Sequence, residues 1–131
     1  KLDINWRERK PEDFSQLGFY SASKLALLYY SIGLARRCPH LNVNVSDPGI
    51  VNSNMITMGH WYDPLADIFF RPFIKTPEQG AVSSLNAIGH VGSLQYFVGS
   101  KHSPIAGKYL DSPFVDQLWQ QLVPLIGVQE P

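Results

Sequence analysis

Hydrophobic and polar positions divide the chain into segments of distinct period. From about Phe14 to Arg37 the breakers are Gly18 and Gly33, and the run ends at Pro39. Such a stretch predicts one long helix. Leu25, Ala26, Leu27, Leu28, Tyr29, Tyr30, Ile32, Leu34 and Ala35 fall on nearly every face of it, so the helix is expected to be covered on most sides. Arg36 and Arg37 at its end suit the negative end of the helix dipole. Leu41, Val43 and Val45 then alternate with Asn42, Asn44 and Ser46, the period-two pattern of a strand, which Asp47-Pro48-Gly49 closes.

Asn52 to Lys75 mixes aromatic residues with Gly59, Pro64 and Pro72 and keeps no clean period. We expect a long loop with short helical pieces, of the length seen in lids. Thr76-Pro77-Glu78-Gln79 supplies an N-cap, a proline at the first helical position and a capping-box partner, so a helix is predicted over about 77–88. Gly107 to Asp111 is expected to form a short strand. Ser112-Pro113 is expected to open a final amphipathic helix through Leu118, Trp119 and Leu122 toward Pro124. A helix leading into a strand and on to a further helix implies an α/β layer arrangement.

Bulk properties narrow the function classes. The chain has 131 residues, 44% of them hydrophobic, which suits one modest domain or part of one. It begins at Lys1, and Lys1-Leu2-Asp3-Ile4-Asn5-Trp6 has the character of an internal segment, so truncation is expected. Eleven basic and eleven acidic residues leave no net charge, which argues against a nucleic-acid or anionic-membrane partner. The single Cys38 excludes an internal disulfide and fits a reducing, intracellular setting. The apolar run of Leu25 to Ala35 is too short for a membrane span. His40, His60, His90 and His102 are scattered without the spacing of a metal site, so no metal is expected.

Tyr20-Ser21-Ala22-Ser23-Lys24 carries the candidate chemistry. A phenol and an ammonium four residues apart share one helix face. A nearby cation favours phenolate, which would bring the phenol toward the range where it can exchange a proton near neutral pH. That suits a general acid or base working on a carbonyl or alcohol. The spacing alone is common in helices; it gains weight from the residues downstream, a long apolar helix, a strand, and Pro48-Gly49-Ile50-Val51-Asn52-Ser53.

This ordered series resembles the short-chain dehydrogenase/reductase family, with its Y-x-x-x-K and later P-G-x-x-x-T motifs. Lys1 to Trp6, Thr76-Pro77-Glu78-Gln79-Gly80-Ala81, Ala106 to Leu110 and Leu118-Trp119 are similar to the branch that includes retinol dehydrogenases and the WW-domain-containing oxidoreductase. The resemblance implies the C-terminal portion of a single doubly wound, parallel-sheet (Rossmann-type) α/β domain. It implies that Tyr20 donates or accepts the proton and that Lys24 activates it and binds the nicotinamide ribose. Pro48 and Gly49 would form the turn that approaches the nicotinamide, and Ser53, in place of the usual threonine, would contact the cofactor.

The implied cofactor is NADP or NAD, with NADP slightly ahead, and the implied substrate is a small hydrophobic alcohol, ketone or aldehyde. Homo-oligomers and membrane association of the full-length protein are compatible with the family. The Gly-rich turn that seats the pyrophosphate does not occur in these residues. The family's catalytic serine and helix asparagine would precede Lys1, and Ser15, five residues before Tyr20, is rejected as a substitute. The chain alone is therefore expected to be inactive. Trp61, Tyr62, Leu65, Ile68, Phe69, Phe70 and Phe73 fall where the family has its substrate-covering loop and are open to ordinary packing as well. Two rivals stand beside this picture: a non-catalytic truncated isoform or pseudoenzyme that binds or dimerises, and the sugar-nucleotide epimerase/dehydratase branch, which shares Y-x-x-x-K.

Overall fold

The computed structural model describes residues 12, 15–51 and 75–126. The chain divides into two units, one comprising Lys1–Val43, Gly92–Leu94 and Ile105–Pro131, the other Asn44–Val91 and Gln95–Pro104.

In the first unit, α1 spans Gln16–Arg37. Ser15 caps it, its hydroxyl accepting from the Gly18 amide at 3.2 Å, which satisfies one of the amides that a helix start leaves without a partner. Two further helices follow late in the chain, α3 at Gly107–Leu110 and α4 at Phe114–Ile126. α4 and α3 pack on α1. The core holds Tyr29, Ile32, Cys38, Ile105, Val115, Leu118, Trp119 and Val123, each large aliphatic side chain contributing about 1.5–3 kcal/mol on burial.

Trp119 is the centre of this packing. Tyr30 stacks on it with ring centroids 5.3 Å apart, and the Arg37 guanidinium lies 4.6 Å from its ring. The indole approaches so closely that a Cβ on Gly33 would stand 3.0 Å from Trp119 Cε3. Arg37 also pairs with Asp116 of α4 at 2.9 Å.

The expectation that α1 is covered on most sides is corrected. Tyr29, Ile32 and Gly33 form the buried stripe, whereas Leu17 and Leu27 are 75% and 56% exposed. The neighbouring helices cover one stripe of α1, and apolar residues elsewhere on its surface stay open or half-buried.

The second unit is a β-α-β arrangement with a hairpin. β1 is Val45–Asp47, α2 is Pro77–Gly89, β2 is Gln95–Val98 and β3 is Lys101–Pro104. The sheet order is β1-β2-β3. β1 runs parallel to β2 with Val45, Ser46 and Asp47 opposite Tyr96, Phe97 and Val98, the pairing that requires a crossover such as α2. β3 returns antiparallel to β2 through Gly99, whose φ of 60° suits a tight hairpin. Thr76 and Gln79 form a complete capping box at the start of α2. Ser83, fully buried on α2, meets Ser46 of β1 at 3.1 Å and donates to the Gly80 carbonyl at 3.1 Å, so a buried hydroxyl here is satisfied.

The observed class is mixed α/β with a small parallel and antiparallel sheet, and a complete doubly wound sheet is not present among the described residues. Three boundaries differ from expectation. The strand expected over Leu41–Ser46 forms at Val45–Asp47, because the preceding residues are bonded otherwise: the Val43 amide donates to Ser93 Oγ, Ser93 Oγ donates to the Leu41 carbonyl, and the Val43 carbonyl accepts from the Leu94 amide. The two serine bonds, which reach about 50 residues along the sequence, stand where ladder bonds would.

Gly107 to Leu110 is helical rather than a strand, held by the Tyr109 amide on the Ala106 carbonyl at 2.9 Å, by the Arg36 guanidinium on the Leu110 carbonyl, and by Tyr109 packing edge-on to Tyr29. The final helix continues past Pro124; the carbonyl of Gln120, which the proline cannot serve, belongs to an exposed residue. Residues 90–106 carry no element expected from sequence, yet β2 and β3 form there.

Candidate functional site

Tyr20 and Lys24 lie in the N-terminal half of α1, one turn apart, as their spacing requires. The Lys24 ammonium lies 5.3 Å from the centroid of the Tyr20 ring, a cation over a π face worth about 0.5–1 kcal/mol at an exposed position. The tyrosine is 53% exposed, so its hydroxyl is accessible. Ser23, between them, donates to the Tyr20 carbonyl at 2.7 Å and so serves the helix backbone. Ser15 acts as the N-cap of α1, a structural role that accounts for a serine there.

Pro48 and Gly49 form an exposed turn directly after β1. Gly49 has φ 73°, a left-handed conformation that costs other residues about 1–2 kcal/mol. Asp47 organises the turn from below: one carboxylate oxygen accepts from the Gly49 amide at 2.8 Å, and the other accepts from the Tyr96 hydroxyl at 2.8 Å. The expected turn-forming role of Asp47 is thus realised, with Tyr96 of β2 fixing the carboxylate. Lys75 closes the other side, its ammonium donating to the Pro48 carbonyl at 3.0 Å and its amide to the Ile50 carbonyl at 2.9 Å. Val51 and Lys75 make a parallel bridge.

Behind the turn, Gly80 of α2 lets the helix close on Val51 and Pro48; a Cβ there would lie 2.6 Å from Val51 Cγ2 and 3.6 Å from Pro48 Cβ. In parallel α/β sheets, ligands bind in the crevice beyond the carboxyl ends of the strands. The Pro48–Gly49 turn stands at such an end, of β1. Pro48, Gly49 and Ile50 are exposed, which suits the approach of a flat ring such as a nicotinamide to the turn, while the space beside Gly49 left by its missing Cβ is taken by the Lys75 ammonium.

Ser53 and the aromatic stretch from Trp61 to Phe73 lie outside the described residues, as does His60. Tyr20 and Lys24 belong to the first unit, Pro48 and Gly49 to the second. Sequence reasoning missed Lys75 and Tyr96 as partners of the turn. No spacing rule marks them, although Lys75 directly precedes the recognisable cap Thr76. It also separated His90 and His102, whose rings approach to 4.8 Å with both packed on Phe97. Among the described residues, no group of three or more histidine, cysteine or acidic side chains is placed to hold a metal ion. No helix among them is long and apolar enough to cross a membrane.

Comparison with known proteins bears on these features. The chain is 32% identical to retinol dehydrogenase 14 of Homo sapiens in an alignment 136 positions long that covers 96% of this chain and 40% of that protein. It is 29% identical to polyprenol dehydrogenase of Homo sapiens in an alignment of 125 positions that covers 88% of this chain and 38% of that protein. Retinol dehydrogenase 12 of Bos taurus is 28% identical in an alignment of 133 positions that covers 96% of this chain and 42% of the bovine protein. The chain thus spans about two fifths of the length of the curated relatives it matches. No protein-family model matches it, and no solved structure does. The chain belongs to the short-chain dehydrogenase/reductase family and corresponds to the C-terminal part of its relatives, among which are retinol dehydrogenases.

Proposed function

We propose that these residues are the C-terminal part of one doubly wound domain of an oxidoreductase that interconverts a carbonyl and an alcohol with a nicotinamide cofactor, NADP or NAD. The observation that carries this is the exposed Tyr20 phenol with the Lys24 ammonium 5.3 Å from its ring, in a chain that aligns with dehydrogenases over 96% of its length.

The bound cofactor supplies or takes the hydride. Tyr20 moves the matching proton: its hydroxyl gives a proton to the substrate oxygen in carbonyl reduction and receives one in alcohol oxidation. Lys24 places a positive charge beside the phenol, which stabilises the charge that Tyr20 carries once the proton has left, and it also binds the nicotinamide ribose. By the family resemblance, the Pro48–Gly49 turn would offer backbone to the nicotinamide and Ser53 would supply a hydroxyl toward the cofactor. Serine keeps the hydroxyl of the family's threonine and lacks only its methyl group. Retinol and polyprenol, named in the relatives, are apolar alcohols, and we assign a hydrophobic alcohol, ketone or aldehyde as substrate.

The test is Tyr20→Phe in the complete protein. Turnover of a retinoid or prenyl alcohol is expected to vanish while cofactor affinity stays close to wild type. Retained turnover refutes the assignment of Tyr20.

A further inference from the structure

The geometry points to Lys75 as a positioning residue for the Pro48–Gly49 turn, pinning the Pro48 carbonyl so that the turn presents one backbone conformation to the nicotinamide; this rests on the function proposed above. The Lys75 ammonium donates to the Pro48 carbonyl at 3.0 Å. It also fills the space beside Gly49, where a Cβ would lie 3.1 Å from Nζ.

The backbone of Lys75 is fixed from both sides, so little reach remains to be organised. Its amide donates to the Ile50 carbonyl, and the residue pairs with Val51. The next residue is Thr76, locked by its capping box. Gly80 brings the first turn of α2 against Val51. The ammonium therefore sits on a rigid frame, and the peptide between Pro48 and Gly49 is held on both sides: its N–H by Asp47, whose carboxylate Tyr96 steadies, and its carbonyl by Lys75.

Helix stability does not explain a cation at this place. Lys75 stands one residue before the N-cap of a 13-residue helix, at the positive end of its dipole, where cations are disfavoured. Its position is accounted for by the carbonyl it holds. The Pro48–Gly49 peptide, which would otherwise be free to rotate, is thereby fixed, and the Ile50 carbonyl beyond it is held by the Lys75 amide. A turn preorganised in this way binds a flat ring without first having to be ordered.

The experiment compares Lys75→Met and Lys75→Arg with wild type in the complete protein, titrating NADPH and NADH by fluorescence and measuring kcat and the alcohol KM. Lys75→Met keeps the stem and removes the donor; the expected result is cofactor binding weakened by about tenfold, the scale of one hydrogen bond to a charged group, with the alcohol KM unchanged. Lys75→Arg, which keeps a charged donor, is expected to recover most of that affinity. Should Lys75→Met fail to fold, Lys75→Leu, which likewise has no donor, takes its place with the same expected weakening.

Cofactor affinity equal to wild type in the folded Met or Leu variant overturns the positioning role and leaves the oxidoreductase reading standing. An effect confined to the alcohol KM overturns it as well. Wild-type protein that binds neither NADPH nor NADH overturns the oxidoreductase reading itself, and the role of Lys75 with it.

Discussion

Replacing Gly80 by alanine sets two effects against each other, and the structure decides which is larger. Inside a helix, alanine is favoured over glycine by about 1 kcal/mol. Gly80 is buried in the first turn of α2, however, and the new Cβ would lie 2.6 Å from Val51 Cγ2 and 3.4 Å from Val51 Cγ1. Val51 cannot swing aside freely, since a β-branched side chain has few χ1 options and its backbone is bridged to Lys75. Overpacking of this kind costs roughly 1–3 kcal/mol.

The upper half of that range applies, because the clash is with a stiff side chain anchored on bridged backbone. Gly80→Ala is thus expected to lose about 1–2 kcal/mol net, or about 3–6 °C in Tm. Urea unfolding monitored by far-ultraviolet circular dichroism measures it. Two controls sharpen the result. Gly89→Ala in the same helix meets no atom within 4 Å and is expected to be neutral or to gain up to about 1 kcal/mol. Val51→Ala combined with Gly80→Ala should relieve the clash, so that the double variant is more stable than the sum of the single losses. A Gly80→Ala protein as stable as wild type, or a double variant with purely additive losses, refutes the close approach.

Other substitutions test the remaining framework. Trp119→Ala removes the ring between Tyr30, Gly33 and Arg37 and should cost about 3–5 kcal/mol by chemical denaturation; Gly33→Ala should lose stability too, despite its better helix propensity. Thr76→Ala breaks the capping box of α2 and should cost about 1 kcal/mol in the same assay. Glu78 is held below the ordinary glutamate range by a backbone hydrogen bond and then by the Thr76 hydroxyl. Its contribution to stability is therefore present above the unfolded-state pKa and lost as pH falls through the lower folded value; Glu78→Gln should flatten the acid limb of a stability profile, and an unchanged limb refutes the linkage. Tyr20→Phe, at an exposed position, should change stability by less than about 0.5 kcal/mol while abolishing turnover of the complete protein.

Much of the local framework was written in the chain. The 3.6-residue spacing places Tyr20 and Lys24 on one face wherever that segment is helical, and Thr76, Pro77 and Gln79 specify the start of α2 through bonds within four residues. Asp47, Pro48 and Gly49 announce their turn by residue type, because an aspartate can bond an amide two residues on and glycine tolerates a positive φ. These features rest on interactions among neighbours in sequence, so they need no knowledge of the rest of the fold.

Tertiary structure decided what depends on distant partners. Gly107 to Leu110 is helical because Tyr29 and Arg36 of α1 receive it. β1 begins only at Val45 because the Ser93 side chain occupies the Val43 amide and the Leu41 carbonyl before it. The β2–β3 hairpin carried a signal in Tyr96, Phe97 and Val98 followed by Gly99 and Ser100, but its parallel partner β1 lies about 50 residues upstream in sequence. Lys75 and Tyr96 meet the Pro48–Gly49 turn only once β1, α2 and β2 are assembled. A helix face is fixed by period alone, whereas a carbonyl finds its lysine only when the chain between them has folded back.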